Sequence, residues 1–166
     1  MKVLVINGSP KCARSNTYRL TKVFMEGLNP QEVRECNTAQ LDIKPCLGCF
    51  ACWNKTPGRC CIRDDMPGVI ENMLWADVIL WSFPLYYFNV PGPLKNLMDR
   101  QLPMALPFMS SDAESGGHPS RYDMSGKWHM VISTCGFYTA KGNYDGVTAI
   151  FDHLCGKDNY TVVSKN

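Results

Sequence analysis

Apolar residues along the chain follow two alternating patterns, short continuous runs and longer stretches with three- and four-residue spacing. The first run, Lys2 to Ile6, stops at Gly8-Ser9-Pro10, as a central strand buried on both faces does. A helix is expected next, capped by Asn16 or Thr17, with Leu20, Val23, Phe24 and Leu28 on one face. Val33 to Asn37 alternates, the pattern of a half-exposed edge strand. Asp64 and Asp65 open a second helix with Pro67 in its first turn and Met66, Val69, Ile70, Met73 and Leu74 as its apolar stripe. Asp77 to Ser82 is a third strand. A Pro/Tyr-rich loop leads to a third helix carrying Leu94, Leu97, Met98 and Leu102. Residues 103 to 126 read as a long loop, of a length found in lids, partner contacts and disordered segments. Trp128 to Thr134 is a fourth strand. Val147, Ile150, Phe151 and Leu154 share a fourth helix face, and Tyr160 to Val163 is a last short strand.

This order predicts an α/β fold, a doubly wound parallel five-stranded sheet in the order 2-1-3-4-5 with helices on both faces. A further helix should follow the last strand and is missing. Either the sequence is clipped from a longer protein, or a partner subunit covers that face. The length of 166 residues suits one domain over 1–166, with a cysteine-rich loop at 45–63. A net charge of +2 does not argue for nucleic acid. The opening apolar run lacks a cleavage site, and Val78 to Leu94 is broken by Pro84, Asn89, Pro91 and Pro93. A cytoplasmic protein with reduced thiols and no membrane contact is therefore expected.

In open parallel sheets, ligands bind beyond the carboxyl ends of the strands where the strand order switches, here between strands 1 and 3. The loop after strand 1 runs from Gly8 to Thr17 into a helix N-terminus, and its small hydroxyl and amide side chains suit a phosphate. Lys11 and Arg14 add positive charge. A well-capped helix after a polar turn is the plainer reading of the same residues. GxGxxG and Walker patterns are absent, which disfavours a dinucleotide fold or an NTPase. The loop after strand 3 carries Leu85-Tyr86-Tyr87-Phe88-Asn89, enough aromatic surface to line a slot for a flat ring or simply to pack under a loop. The loop after strand 4, Thr134-Cys135-Gly136, supplies a third wall. A phosphate site beside a slot for a planar heterocycle points to FMN.

Several spaced motifs resemble the NADPH-dependent FMN reductase-like branch of the flavodoxin-like superfamily. They are Asn7-Gly8-Ser9-Pro10 with Ser15-Asn16-Thr17, the Cys46 to Cys60 motif with Asp64-Asp65-Met66, Ala76-Asp77, Pro84-Leu85-Tyr86, and Leu94-Lys95 with Asp99-Arg100. Within that branch the chain is most similar to the iron–sulfur flavoproteins. The resemblance implies a flavodoxin-like fold, bound FMN, redox activity and a homodimer or homotetramer. By position, Ser9, Lys11, Ser15, Asn16 and Thr17 would hold the FMN phosphate. Pro84, Leu85, Tyr86, Tyr87, Phe88 and Asn89 would border the isoalloxazine, with Thr134, Cys135 and Gly136 opposite. Lys11 stands where many relatives have Arg, which keeps the charge but loses the fork.

Nine cysteines are many for this length, and an odd count without a secretion signal argues against a disulfide scaffold. Cys12, Cys36, Cys135 and Cys155 are scattered, as small buried hydrophobes are. Cys46, Cys49, Cys52 and Cys60 are the candidate metal ligands: two CxxC steps let thiolates converge, and Gly48 and Gly58 relax the backbone. Cys61 makes the fourth position ambiguous. A [4Fe–4S] cluster, a zinc ion and metal-free thiols are all compatible with this spacing.

The expected function is an FMN-dependent oxidoreductase that takes electrons from NAD(P)H or a small carrier. Its acceptor would be a quinone, a flavin or a redox protein. A non-enzymatic electron carrier and a cysteine-rich metal-binding module on the same fold are the alternatives. The flavin would perform the chemistry, so no acid–base residue is nominated. His118, His129 and His153 lack metal spacing, and Asp64 and Asp65 read as helix caps.

Overall fold

The computed structural model describes residues 1–111 and 116–165. Its centre is a five-stranded, all-parallel sheet in the order β2-β1-β3-β4-β5, the expected order. The strands are β1 (Lys2–Asn7), β2 (Glu32–Asn37), β3 (Val78–Pro84), β4 (Trp128–Thr134) and β5 (Tyr160–Lys165). The helices are α1 (Asn16–Leu28), α2 (Ala51–Asn54), α3 (Met66–Trp75), α4 (Gly92–Asp99) and α5 (Asp145–Cys155). No helix among the described residues is long and apolar enough to cross a membrane.

Alternate residues of the central strands feed two cores, because successive side chains of a strand point to opposite faces. Leu4, Ile6, Ile79, Trp81, Phe83 and Val131 meet α3, α4 and α5 on one face, where Met73, Leu97 and Phe151 are buried. Each such side chain contributes about 1.5–3 kcal/mol by leaving water. Val3, Val5, Val78, Leu80 and Ile132 meet α1 on the other, through Leu20, Phe24 and Leu28. The edge strand β2 buries only Cys36.

Five local expectations need correction. Val23 is 65% exposed, and the buried side of α1 is set by Thr17 and Thr21. A polar contact explains the swap: the Thr21 hydroxyl donates to Ser82 Oγ at 2.8 Å, so the helix turns threonines toward β3. The cap of α1 is Ser15, one residue before the expected pair. Leu102 sits in a separate 3-10 turn, Leu102–Met104, because Pro103 cannot continue α4. Leu154 is 37% exposed at the end of α5, so that helix buries a narrower stripe of Val147 and Phe151. The scattered cysteines differ too: Cys36 is buried, whereas Cys12, Cys135 and Cys155 are half-buried.

Candidate functional site

The loop after β1 is held open by its own hydrogen bonds. Asn7 Oδ1 accepts from the Ser9 N–H at 3.1 Å, and Ser9 Oγ accepts from the Lys11 N–H at 3.3 Å. Asn7 is itself fixed by donating from its amide to Asn37 Oδ1 at 2.8 Å. Gly8 leaves no room for a side chain, since a Cβ there would come within 3.1 Å of the Cβ atoms of Leu94 and Phe83. This close approach seats the loop on β3 and α4. Ser15 caps α1 with extended backbone but makes no side-chain capping bond, so the first N–H groups of the helix are not closed off by its hydroxyl. The plain capped-helix reading of this segment therefore loses its main support.

The first turn of α1 borders a cavity of about 250 Å³. Ser9, Lys11, Ser15, Asn16 and Thr17 line it from the first loop, Pro84, Leu85 and Tyr86 from the loop after β3, and Thr134, Cys135 and Gly136 from the loop after β4. The hydroxyls of Thr17 and Thr134 meet at 2.6 Å and join two of the walls. Arg14, expected with Lys11 to add positive charge to this loop, also lines the cavity. Tyr87, Phe88 and Asn89 do not line it. They form a tight turn closed by reciprocal Tyr86–Asn89 backbone bonds at 2.9 and 3.0 Å, with the Tyr87 and Phe88 rings exposed above the pocket mouth. Phe88 stacks on Phe137 at 5.3 Å. A larger cavity of about 570 Å³ opens beside Trp128 and His129, at the amino end of β4. It contains none of the residues nominated from sequence and lies at the wrong end of the sheet for ligand binding.

The cysteine loop is closed at its base. Asp65 Oδ2 accepts from the Asp42 N–H at 2.8 Å, and Asp64 Oδ2 accepts from the Lys44 N–H at 3.1 Å. Arg100 locks this base from α4's carboxyl end. Its guanidinium donates to both Asp64 carboxylate oxygens, at 2.6 and 3.0 Å, and to the Lys44 carbonyl at 2.8 Å. The pair is sealed from solvent, with side-chain exposures of 1% and 0%. Burial alone would raise the Asp64 carboxyl, but the bonds from Arg100 and from the Lys44 and Met66 N–H groups outweigh it and hold it below the usual range. Of the two expected helix caps Asp65 holds the cap position of α3, and Asp64, one residue earlier, accepts from the Met66 N–H at 3.2 Å. The ion pair cannot be read from local sequence because its partners lie 36 positions apart. An arginine two positions past the apolar Leu97-Met98 pair is the available signal.

Cys46, Cys49, Cys52 and Cys60 line one narrow, largely apolar crevice with Leu47, Phe50, Ile62 and Arg100. Gly48 and Gly58 have φ of +60° and +80°, the left-handed backbone that the tight turns require. The short helix α2, within the segment expected as a cysteine-rich loop, buries Cys52. Desolvation pushes the Cys52 thiol up, and the neighbouring Cys60, Cys46 and Cys49 add to the effect. The Ala51 N–H, and next the thiol of Cys61, hold Cys49 below its usual value. Among the described residues, no three His, Cys, Asp or Glu side chains are already drawn together tightly enough to hold a metal ion. The donor set nevertheless fits a four-thiolate centre: four cysteines share one crevice, with a buried cation on its wall. Cys61 lies outside that lining, exposed, with its sulfur 3.6 Å from that of Cys49.

Residues 1–162 match the profile of the family described as flavodoxin-like fold. The chain belongs to that family. Among flavodoxin-like relatives, an iron–sulfur flavoprotein of Methanocaldococcus jannaschii is 33% identical over 118 residues, covering 70% of this chain and 60% of that protein. One of Archaeoglobus fulgidus is 40% identical over 102 residues, covering 60% of this chain and 48% of that protein. The chain thus spans roughly half the length of the relatives it matches. An FMN-dependent NADH-azoreductase of Bacillus anthracis, solved in complex with FMN, shares the fold at a TM-score of 0.64 and 22% identity, over 99% of this chain and 87% of that one. The iron–sulfur flavoproteins among them are of the branch that the motifs resemble.

Proposed function

We propose that this flavodoxin-like chain is the FMN-binding domain of an oxidoreductase that draws electrons from NAD(P)H or a small carrier and passes them to a quinone, a flavin or a redox protein. One observation carries the reading: three loops far apart in sequence converge on one pocket at the carboxyl ends of β1, β3 and β4. Bound FMN would supply hydride and single-electron chemistry, leaving this chain to bind and orient it. Lys11, Arg14 and the α1 N-terminus, whose first N–H groups the Ser15 side chain leaves unbonded, offer charge and N–H donors to a phosphate, and Ser9, Ser15 and Thr17 offer hydroxyls. Pro84 to Tyr86 and Thr134 to Gly136 form the opposed walls for a ring. At about 250 Å³ the pocket falls below the range of about 300–1,000 Å³ that encloses a drug-sized ligand. Part of FMN would therefore stand at the mouth against the exposed aromatic rings, where a second copy of the chain would cover it.

Cys46, Cys49, Cys52 and Cys60 would ligate a [4Fe–4S] cluster, in keeping with the name of the relatives. Thiolate ligands equally suit zinc, which metal analysis separates from iron. The crevice and the pocket share no lining residue, and α4 joins their neighbourhoods, its eight residues spanning about 12 Å.

Ser15→Ala with Thr17→Ala tests the FMN assignment. The double variant should lose bound flavin on dialysis, read by absorbance near 450 nm, while its circular dichroism stays native. Unchanged flavin content would overturn the phosphate assignment. Nicotinamide oxidation with flavin-loaded protein then separates a reductase from a carrier.

A further inference from the structure

Cys60 and Cys61 are chain neighbours, and a small loop adjustment would let either reach the crevice. Their surroundings differ. Cys60 lines the crevice together with Arg100, close enough for its sulfur to favour the charged guanidinium. Cys61 is exposed and directed toward Cys49. Arg100 is 1% exposed, and its Nε is buried without an acceptor of its own. The remaining charge on this wall, Asp99, is turned outward and paired with Lys95 at 2.6 Å. We propose that Arg100, fixed by Asp64 and the Lys44 carbonyl, is the positioning residue that selects Cys60 over Cys61 as the fourth thiolate of the cysteine site. The inference rests on the metal-centre reading above.

The physical reason is local charge. A metal-bound thiolate is an anion, and a guanidinium that cannot move away stabilises the sulfur nearest its unused donors. Asp64 neutralises the arginine overall and also anchors it, so the donors left over stay aimed where the loop base puts them. A hydrogen bond to a charged group biases an equilibrium about tenfold or more, enough to decide between adjacent ligands.

The test is anaerobic reconstitution with iron and sulfide, followed by iron and acid-labile sulfide analysis. In the native background Cys61→Ser should retain its cluster and Cys60→Ser should hold about tenfold less. The double substitution Asp64→Asn with Arg100→Gln replaces the ion pair by neutral amides and leaves no buried carboxylate unpaired. In that background the two serine variants should retain similar amounts of iron. Arg100→Lys keeps the charge and should keep most of the bias, which a merely structural arginine would not require. Equal iron in the two serine variants of the native background overturns the proposal, even if the paired substitution fails to fold. A native bias that persists unchanged in the folded Asn/Gln background also overturns it, while leaving the cluster assignment intact. Iron absent from every protein, native included, overturns the cluster assignment and this inference together.

Discussion

His129 accepts a hydrogen bond at Nδ1 from the Trp81 indole at 3.1 Å, so its proton must reside on Nε2 and the ring must stay neutral. Burial, with Lys127 nearby, lowers it from 6.5 to about 4. In the unfolded chain the imidazole takes up a proton near pH 6.5, whereas in the folded protein it resists until about pH 4. The unfolded state binds more protons across this window, so stability should fall as pH drops from 6.5 to 4, by about 3 kcal/mol in all. His129→Gln keeps an acceptor for the indole and removes the titration. Urea unfolding of both proteins between pH 4 and 8 should show a shallower slope in the variant below pH 6.5. Parallel curves would mean that His129 does not stay neutral in the fold. At this scale the sequence was informative about polar residues in the first loop and uninformative about long-range pairs. Ser9 and Thr17 stood out beside a strand end, but Asp64–Arg100 and Trp81–His129 depend on which distant elements pack together.

The turn at residues 86–89 stores backbone strain. Tyr87 and Phe88 both have positive φ, 47° and 63°, a conformation that costs a non-glycine residue about 1–2 kcal/mol. Such a two-residue turn prefers Asn-Gly, and bulky rings there are unfavourable for folding alone. Their retention makes sense if the rings serve a ligand or partner at the pocket mouth. The turn is pinned from behind: Gly146, at the start of α5, lies so close that a Cβ would meet the Phe88 carbonyl oxygen at 2.9 Å. Replacing Tyr87-Phe88 by Asn-Gly should therefore raise the stability of the flavin-free protein by about 1–2 kcal/mol while weakening flavin retention. Thermal melts and flavin titration of the same variant check both halves, and a destabilised variant would refute the strain argument. Element order and strand order were legible beforehand because buried parallel strands and amphipathic helices leave distinct periodicities. The positive-φ turn, the α2 turn around Cys52 and the inward threonines of α1 leave none, since each is imposed by neighbours from other parts of the chain.

On the scale of the whole molecule, apolar surface gathers where the three ligand loops end. Tyr87 is 96% exposed, and Phe88, Phe137 and Tyr138 stand beside or near it on the outer parts of these loops. Phe108 and Met109 are exposed as well, on the long segment before β4. Scattered apolar residues need no explanation, but rings collected around a pocket mouth mark a place where another surface docks. A second copy is the occupant expected under the proposed function, because a twofold contact would close two incompletely walled pockets at once. The chain should therefore scatter light at twice its 18.7 kDa mass or more at micromolar concentration. Tyr87→Ser with Tyr138→Ser should shift that equilibrium toward monomer and raise the flavin off-rate, whereas Val23→Ser, an exposed apolar change on α1, should do neither. A native chain that remains monomeric with full flavin retention would mean that one copy encloses FMN unaided, and the aromatic rim would then have to cover the ligand by folding over it rather than by pairing with a second chain.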